Sequence, residues 1–140
     1  FGGIDVETVL REWEKNIVFR EVEHLTEKEK LFASARSSGV LVQIEGKEPP
    51  GNAAEMMYAA MQVCLNNALQ YARATELEAN VFENETSYTV MIYNNGQPPE
   101  KEIREGGGLT NLRHRIETEG GRMLVQSFPE FALVIEIPKI

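Results

Sequence analysis

The chain has 140 residues, enough for one domain with its own core, and carries 14 lysines and arginines against 22 aspartates and glutamates, a net charge of −8. That balance, with no basic stripe, excludes nucleic-acid binding, which needs clustered cations against phosphates. The single cysteine, Cys64, excludes a disulfide framework; no apolar run reads as a membrane span or signal peptide, so a cytoplasmic protein without direct membrane contact is expected, and Phe1 in place of a methionine suggests a piece of a longer one.

In chain order, Val6, Val9, Leu10, Trp13 and Ile17 recur at helical spacing between charges and predict an amphipathic helix over 5–23, a linker or a partner-facing element. Thr26 with Glu29 three residues on is a capping-box pattern that opens a second helix running to Ser38, with Gly39 as its stop. VLVQIEG (40–46) alternates as a strand. Glu48–Gly51 then breaks the chain before a long helix from Asn52 to about Arg73, apolar around most of its circumference and so deeply buried. Cys64 lies inside it and is read as a small buried hydrophobe. LEANVFEN (77–84) and SYTVMIYN (87–94) form a hairpin across the short 84–87 connection. A polar segment follows, then a helix with Leu109, Leu112 and Ile116 on one face, closed by Gly120 and Gly121. RMLVQSF (122–128) and FALVIEIP (131–138) are the last strands, turning at Pro129 and Glu130. Strands with helices gathered between them predict a mixed sheet covered on one face by helices.

Three features carry chemistry. Gly106, Gly107 and Gly108 stand directly before a helix, whose first turn offers unpaired N–H groups and a positive dipole end; this is a candidate phosphate site, although a flexible loop would use the same residues. Asn66 and Asn67 interrupt the most apolar helix, where an unpaired buried amide costs about 1–3 kcal/mol, so they need a partner. That partner is either neighbouring backbone or, if one amide oxygen faces a cleft, a hard cation or its water shell. YNNGQPP (93–99) ends a strand with a turn signal and leads into a polar loop suited to be a lid from Gln97 to Gly108.

Asn67–Ala68, Asn94–Asn95–Gly96 and Gly106–Gly107–Gly108–Leu109, in this order, resemble the N, G1 and G2 boxes of the GHKL ATP-binding fold. The likeness covers roughly Val40 to Pro138. It is strongest to the catalytic domain of bacterial sensor histidine kinases whose last helix reads GGGL..LR.R.E..GG. The resemblance implies an α/β (α+β) two-layer sandwich of the Bergerat type, with a mixed, mostly antiparallel sheet, holding ATP and Mg²⁺ between the long helix, the G1 turn and a mobile lid. It implies that Asn67 binds Mg²⁺ and that Tyr71 matches an aromatic or histidine four positions on. Asn94 takes the place of the G1 aspartate that receives the adenine amino group, and Gly96 that of the first G1 glycine. Gly106, Gly107, Gly108 and Leu109 would line the phosphates. Residues 1–38 would lead from upstream histidine-bearing dimerisation helices, 39–140 would form the ATP-binding domain, and the whole protein, a homodimer, would pass the phosphoryl group to a response regulator.

The departures bear on catalysis. Val63 stands where the family usually has a glutamate, and the neighbouring Gln62 points about 100° away and cannot act as a base. Gln70 replaces a common lysine or arginine, Asn94 gives up a charge-assisted hydrogen bond, and Pro98 replaces a glycine. A degenerate module that binds nucleotide weakly or not at all, and acts in signalling, is therefore the alternative; a serine kinase of the anti-sigma type is a third. His24 and His114 read as solvated helix residues, and no Cys/His spacing suggests zinc.

Overall fold

A computed structural model describes residues 26–103 and 106–139; the helix expected over 5–23 and His24 lie outside the described residues. Helix α1, Glu27–Ser38, begins where the capping pattern put it: Glu29 N–H donates to Thr26 Oγ1 at 3.2 Å. It ends at Gly39, whose φ of 73° is the left-handed conformation that glycine adopts without penalty. Leu31 and Ala35 are its buried residues. They pack in the same core as the long helix α2, Asn52–Asn67.

Strand β1, Leu41–Glu45, precedes α2; β2, Glu76–Glu83, and β3, Ser87–Asn94, follow it; helix α3, Gly108–Thr118, leads to β4, Arg122–Gln126, and β5, Ala132–Pro138. The sheet order is β1-β2-β3-β5-β4. Only β1 and β2 pair in parallel, with α2 as the crossover such a pair requires; the other pairs are antiparallel. The sheet is thus mixed and mostly antiparallel.

Register explains the layering. Ile44, Ala79, Ile92, Leu133 and Val125 are successive partners across all five strands, one continuous apolar row. Because side chains alternate along a strand, that row and its neighbours face the helices while Leu41, Phe82, Met91 and Leu124 are left exposed on the other face. Against the row pack Met57, Met61 and Leu65 of α2 and Leu109, Leu112 and Ile116 of α3, all buried. Cys64 is fully buried among them, and burial pushes its thiol pKa up.

Candidate functional site

The long helix changes character where the expected site begins. After Asn67 it widens into a π-helical turn, Ala68–Ala72, and Arg73, at φ 51°, ends it in the left-handed region. The Ala72 carbonyl accepts the Gln97 N–H from the loop after β3, at 2.8 Å. Gly96 sits against the same carbonyl. A β-carbon on Gly96 would lie 2.3 Å from Ala72 O and 2.8 Å from Ala72 Cβ, so only glycine permits this approach.

Two asparagines hold the turn in shape. The Asn94 Oδ1 accepts the Gly96 N–H at 2.8 Å. Asn95 works outward: its Oδ1 accepts from Thr75 N and Glu76 N, both at 2.9 Å, and its Nδ2 donates to Thr75 Oγ1 at 2.9 Å, which pins the turn to the start of β2. Tyr93 belongs to a different network, donating to Glu78 Oε2 at 2.6 Å and accepting from Asn80 Nδ2 at 3.1 Å. The bond to Glu78 raises the Tyr93 pKa above its ordinary value.

Across from the turn stands the start of α3. Gly107 is its N-cap at φ 49°, with no side chain capping the helix. Leu109 N–H bonds to Gly106 O at 3.2 Å and Asn111 N–H to Gly107 O at 3.1 Å, while the N–H groups of Gly107 and Gly108 find no acceptor among the described residues. Uncapped N–H groups at the positive end of a helix are an anion site in waiting.

A cavity of about 690 Å³ lies here, within the range of small-molecule sites. Asn67 and Tyr71 reach it from the long helix, Asn94 from β3, Gly106 and Leu109 from the α3 start, and the segment from Gln97 to Ile103 closes another side. Of the expected residues, these five line the cavity. Gly96, Gly107 and Gly108 do not: Gly96 is consumed by its contact with Ala72, and a β-carbon on Gly108 would meet Val63 at 3.4 Å. Val63 therefore packs beneath the α3 start and is absent from the cavity lining, as is the exposed Gln70.

The expectation that both asparagines are buried and need a partner is corrected for Asn66. It lies on the exposed face and its Oδ1 accepts from Gln62 Nε2 at 3.1 Å. Asn67 is half-buried, lines the cavity, and its side chain has no hydrogen-bond partner among the described residues. An amide oxygen so placed fits a hard cation or its water. Tyr71, 73% exposed, stands at the rim. His114 is exposed on α3 and does not line the cavity.

Lys101 was not singled out from the sequence, yet it lines the cavity between Glu100 and Glu102. The signal was a pair of cations, Lys101 and Arg104, in a lid of mixed charge. Its placement depends on Ile103, which packs against the core and whose N–H donates to Ser127 Oγ at 2.8 Å. Among the described residues no group of three His, Cys, Asp or Glu could hold a metal, and no helix is long and apolar enough to cross a membrane.

No family model matches the chain. A histidine-protein kinase/phosphatase, DegS of Brevibacillus brevis, is 26% identical over 98 residues, 67% of this chain and 25% of that protein, so the chain matches about a quarter of its relative's length. Among solved structures, the histidine kinase AdeS of Acinetobacter baumannii superposes with a TM-score of 0.65 at 14% identity, covering 99% of this chain and 86% of that one. The ATP-binding domain of PrrB from Mycobacterium tuberculosis gives 0.59 at 19% identity, covering 79% and 88%. The histidine kinase domain of the Erythrobacter litoralis EL346 blue-light activated kinase gives 0.59 at 18%, covering 81% and 61%. The shared architecture is the α/β fold of histidine-kinase ATP-binding domains, with its mixed sheet faced by helices.

Proposed function

We propose that a chain with this fold serves as the ATP-binding, catalytic domain of a two-component sensor histidine kinase. The observation that carries the reading is one cavity lined by Asn67, Asn94 and Gly106, three residues far apart in sequence. In this reading residues 39–140 form the nucleotide-binding domain, with the preceding helix α1 packed into the same core through Leu31 and Ala35. Residues 1–38 lead in from histidine-bearing dimerisation helices, and a response regulator receives the phosphoryl group.

Mg–ATP would supply a γ-phosphoryl group and a metal that spreads its charge. The chain's own part is positioning and neutralisation, on which phosphoryl transfer mainly depends. The Asn67 amide oxygen, without a protein partner among the described residues, orients the metal's shell. The open N–H groups of Gly107 and Gly108, which flank the cavity between its lining residues Gly106 and Leu109 without lining it themselves, would hold phosphate oxygens that reach the α3 start. Lys101 supplies the cation that Gln70 does not. Asn94 meets the base, and Tyr71 flanks the mouth. Val63 gives no carboxylate to take the proton from the histidine, so transfer is slow unless the histidine-bearing helix brings its own.

Calorimetric titration with ADP and ATP, with and without Mg²⁺, tests this. Binding that strengthens with Mg²⁺ for ATP and is lost in Asn67→Ala is the expected result. No heat with any nucleotide refutes it and leaves an interaction module with a kinase fold.

A further inference from the structure

We infer that the cleft takes purine nucleotides with a carbonyl at C6, such as those of hypoxanthine and guanine, at least as tightly as adenine nucleotides. The inference rests on the reading above, in which the base lies against Asn94. It begins from one hydrogen bond. The Gly96 N–H donates to Asn94 Oδ1 at 2.8 Å, and an N–H needs an oxygen to receive it. The amide orientation is therefore fixed by the backbone and cannot turn to suit a ligand.

The turn that fixes it is itself immovable. Gly96 is pressed against the Ala72 carbonyl with no room for a β-carbon, and Gln97 N–H bonds to that carbonyl at 2.8 Å. With Oδ1 committed, Asn94 offers the cleft its NH₂, for which no described residue is an acceptor. Both N–H groups of that amide are donors. An aspartate in the same turn would behave in the opposite way: one oxygen would take the Gly96 N–H and the other would remain a charged acceptor.

In the reading above the C6 substituent of the base meets Asn94, and which substituent is accepted there follows from the orientation of the amide. The exocyclic amino group of adenine is a donor, and against an NH₂ it is a donor facing a donor. It can reach only the second lone pair of the oxygen that already serves Gly96. A C6 carbonyl is an acceptor and pairs with the NH₂ directly. An unmet polar group at a half-buried site is penalised more than a met one is rewarded, so a single atom at C6 changes the ranking.

ADP and IDP differ on the base only at C6 and the adjoining N1 proton, which makes them the matched pair for the test. Titration of the 140-residue chain with ADP, IDP and GDP in Mg²⁺ is expected to give IDP a Kd equal to or below that of ADP, with GDP alongside. In Asn94→Asp the carboxylate keeps the bond to Gly96 N–H, so the turn survives. There the ADP-to-IDP preference is expected to move toward ADP by about tenfold. Tighter binding of ADP than IDP by the unaltered chain overturns the inference, as does an unmoved ratio in a variant that melts like the parent. If the variant does not fold, the ranking in the unaltered chain decides. Absence of binding by all three nucleotides overturns the functional reading and this inference with it, whereas binding with adenine preferred overturns this inference alone.

Discussion

Replacing Gly96 by alanine tests whether the turn after β3 is held by contact with the end of the long helix. The added β-carbon would meet Ala72 O at 2.3 Å and Ala72 Cβ at 2.8 Å, so an opening of nearly an ångström is needed. Neither contact is with a flexible side chain that could swing aside. Overpacking of this kind costs about 1–3 kcal/mol. The Gln97 N–H bond to the same carbonyl stretches from 2.8 Å as the chains part, adding about 1 kcal/mol. The sum, about 3 kcal/mol, divided by a urea m-value of about 2 kcal/mol/M, lowers the unfolding midpoint by roughly 1.5 M. The control is Gly106→Ala: its β-carbon enters open space at a φ outside the left-handed region, and stability is expected to stay within about 0.5 kcal/mol. Urea melts of both variants, followed by far-UV circular dichroism, make the comparison. Equal midpoints for the two would refute the close-approach argument and with it the rigidity claimed for Asn94.

Lys101→Ala is expected to weaken Mg–ATP binding severalfold, as loss of one partly screened charge contact does, whereas Gln70→Lys, off the cleft, leaves it within twofold; the reverse ranking in calorimetry would displace Lys101 from the site. Val63→Glu sets a carboxylate beneath the α3 start, where loss of apolar packing costs about 1–3 kcal/mol and the helix dipole offsets part; a protein that includes the upstream histidine helix should then autophosphorylate faster, and an unchanged rate counts against a missing base. Hydrogen exchange should be fast at Glu100, Lys101 and Glu102, whose N–H groups meet no acceptor among the described residues, and slow at Gln97 and Ile103, which are bonded; uniform protection across 97–103 would deny the loop a lid's freedom. Alkylation of Cys64 should track global unfolding, since the thiol is fully buried and its pKa is raised; rapid labelling of native protein would contradict that packing.

The strands and helices were legible because their buried faces repeat regularly. SYTVMIYN alternates into the core at Val90 and Ile92, and Leu109, Leu112 and Ile116 mark one helix stripe. Strand order was not legible, since the parallel pairing of β1 with β2 is made by contacts distant in sequence. In the site, Asn67, Asn94, Gly106 and Leu109 of the three ordered boxes share one cavity while Gly96, Gly107 and Gly108 fall outside its lining, and the boxes did not show what each residue does there. Gly96 and Gly106 are the same letter, yet one exists to exclude a β-carbon and the other borders open space. Asn66 and Asn67 are neighbours, yet only the second lines the cavity. Lys101 reaches it because Ile103 is fastened to Ser127, a contact no local pattern encodes.

The π-helical turn at Ala68–Ala72 has a further consequence for comparing this chain with others. A turn closed one residue later than an α-turn sets all that follows back by about one residue's rotation, roughly 100°. Gln70, matched by count to a phosphate-facing cation, ends up exposed and off the cleft, while Tyr71 and Ala72 line it. Superposing this helix on an uninterrupted one therefore requires a one-residue gap after Asn67. A ledger of substitutions drawn without that gap would score as lost a residue that was never on the facing side.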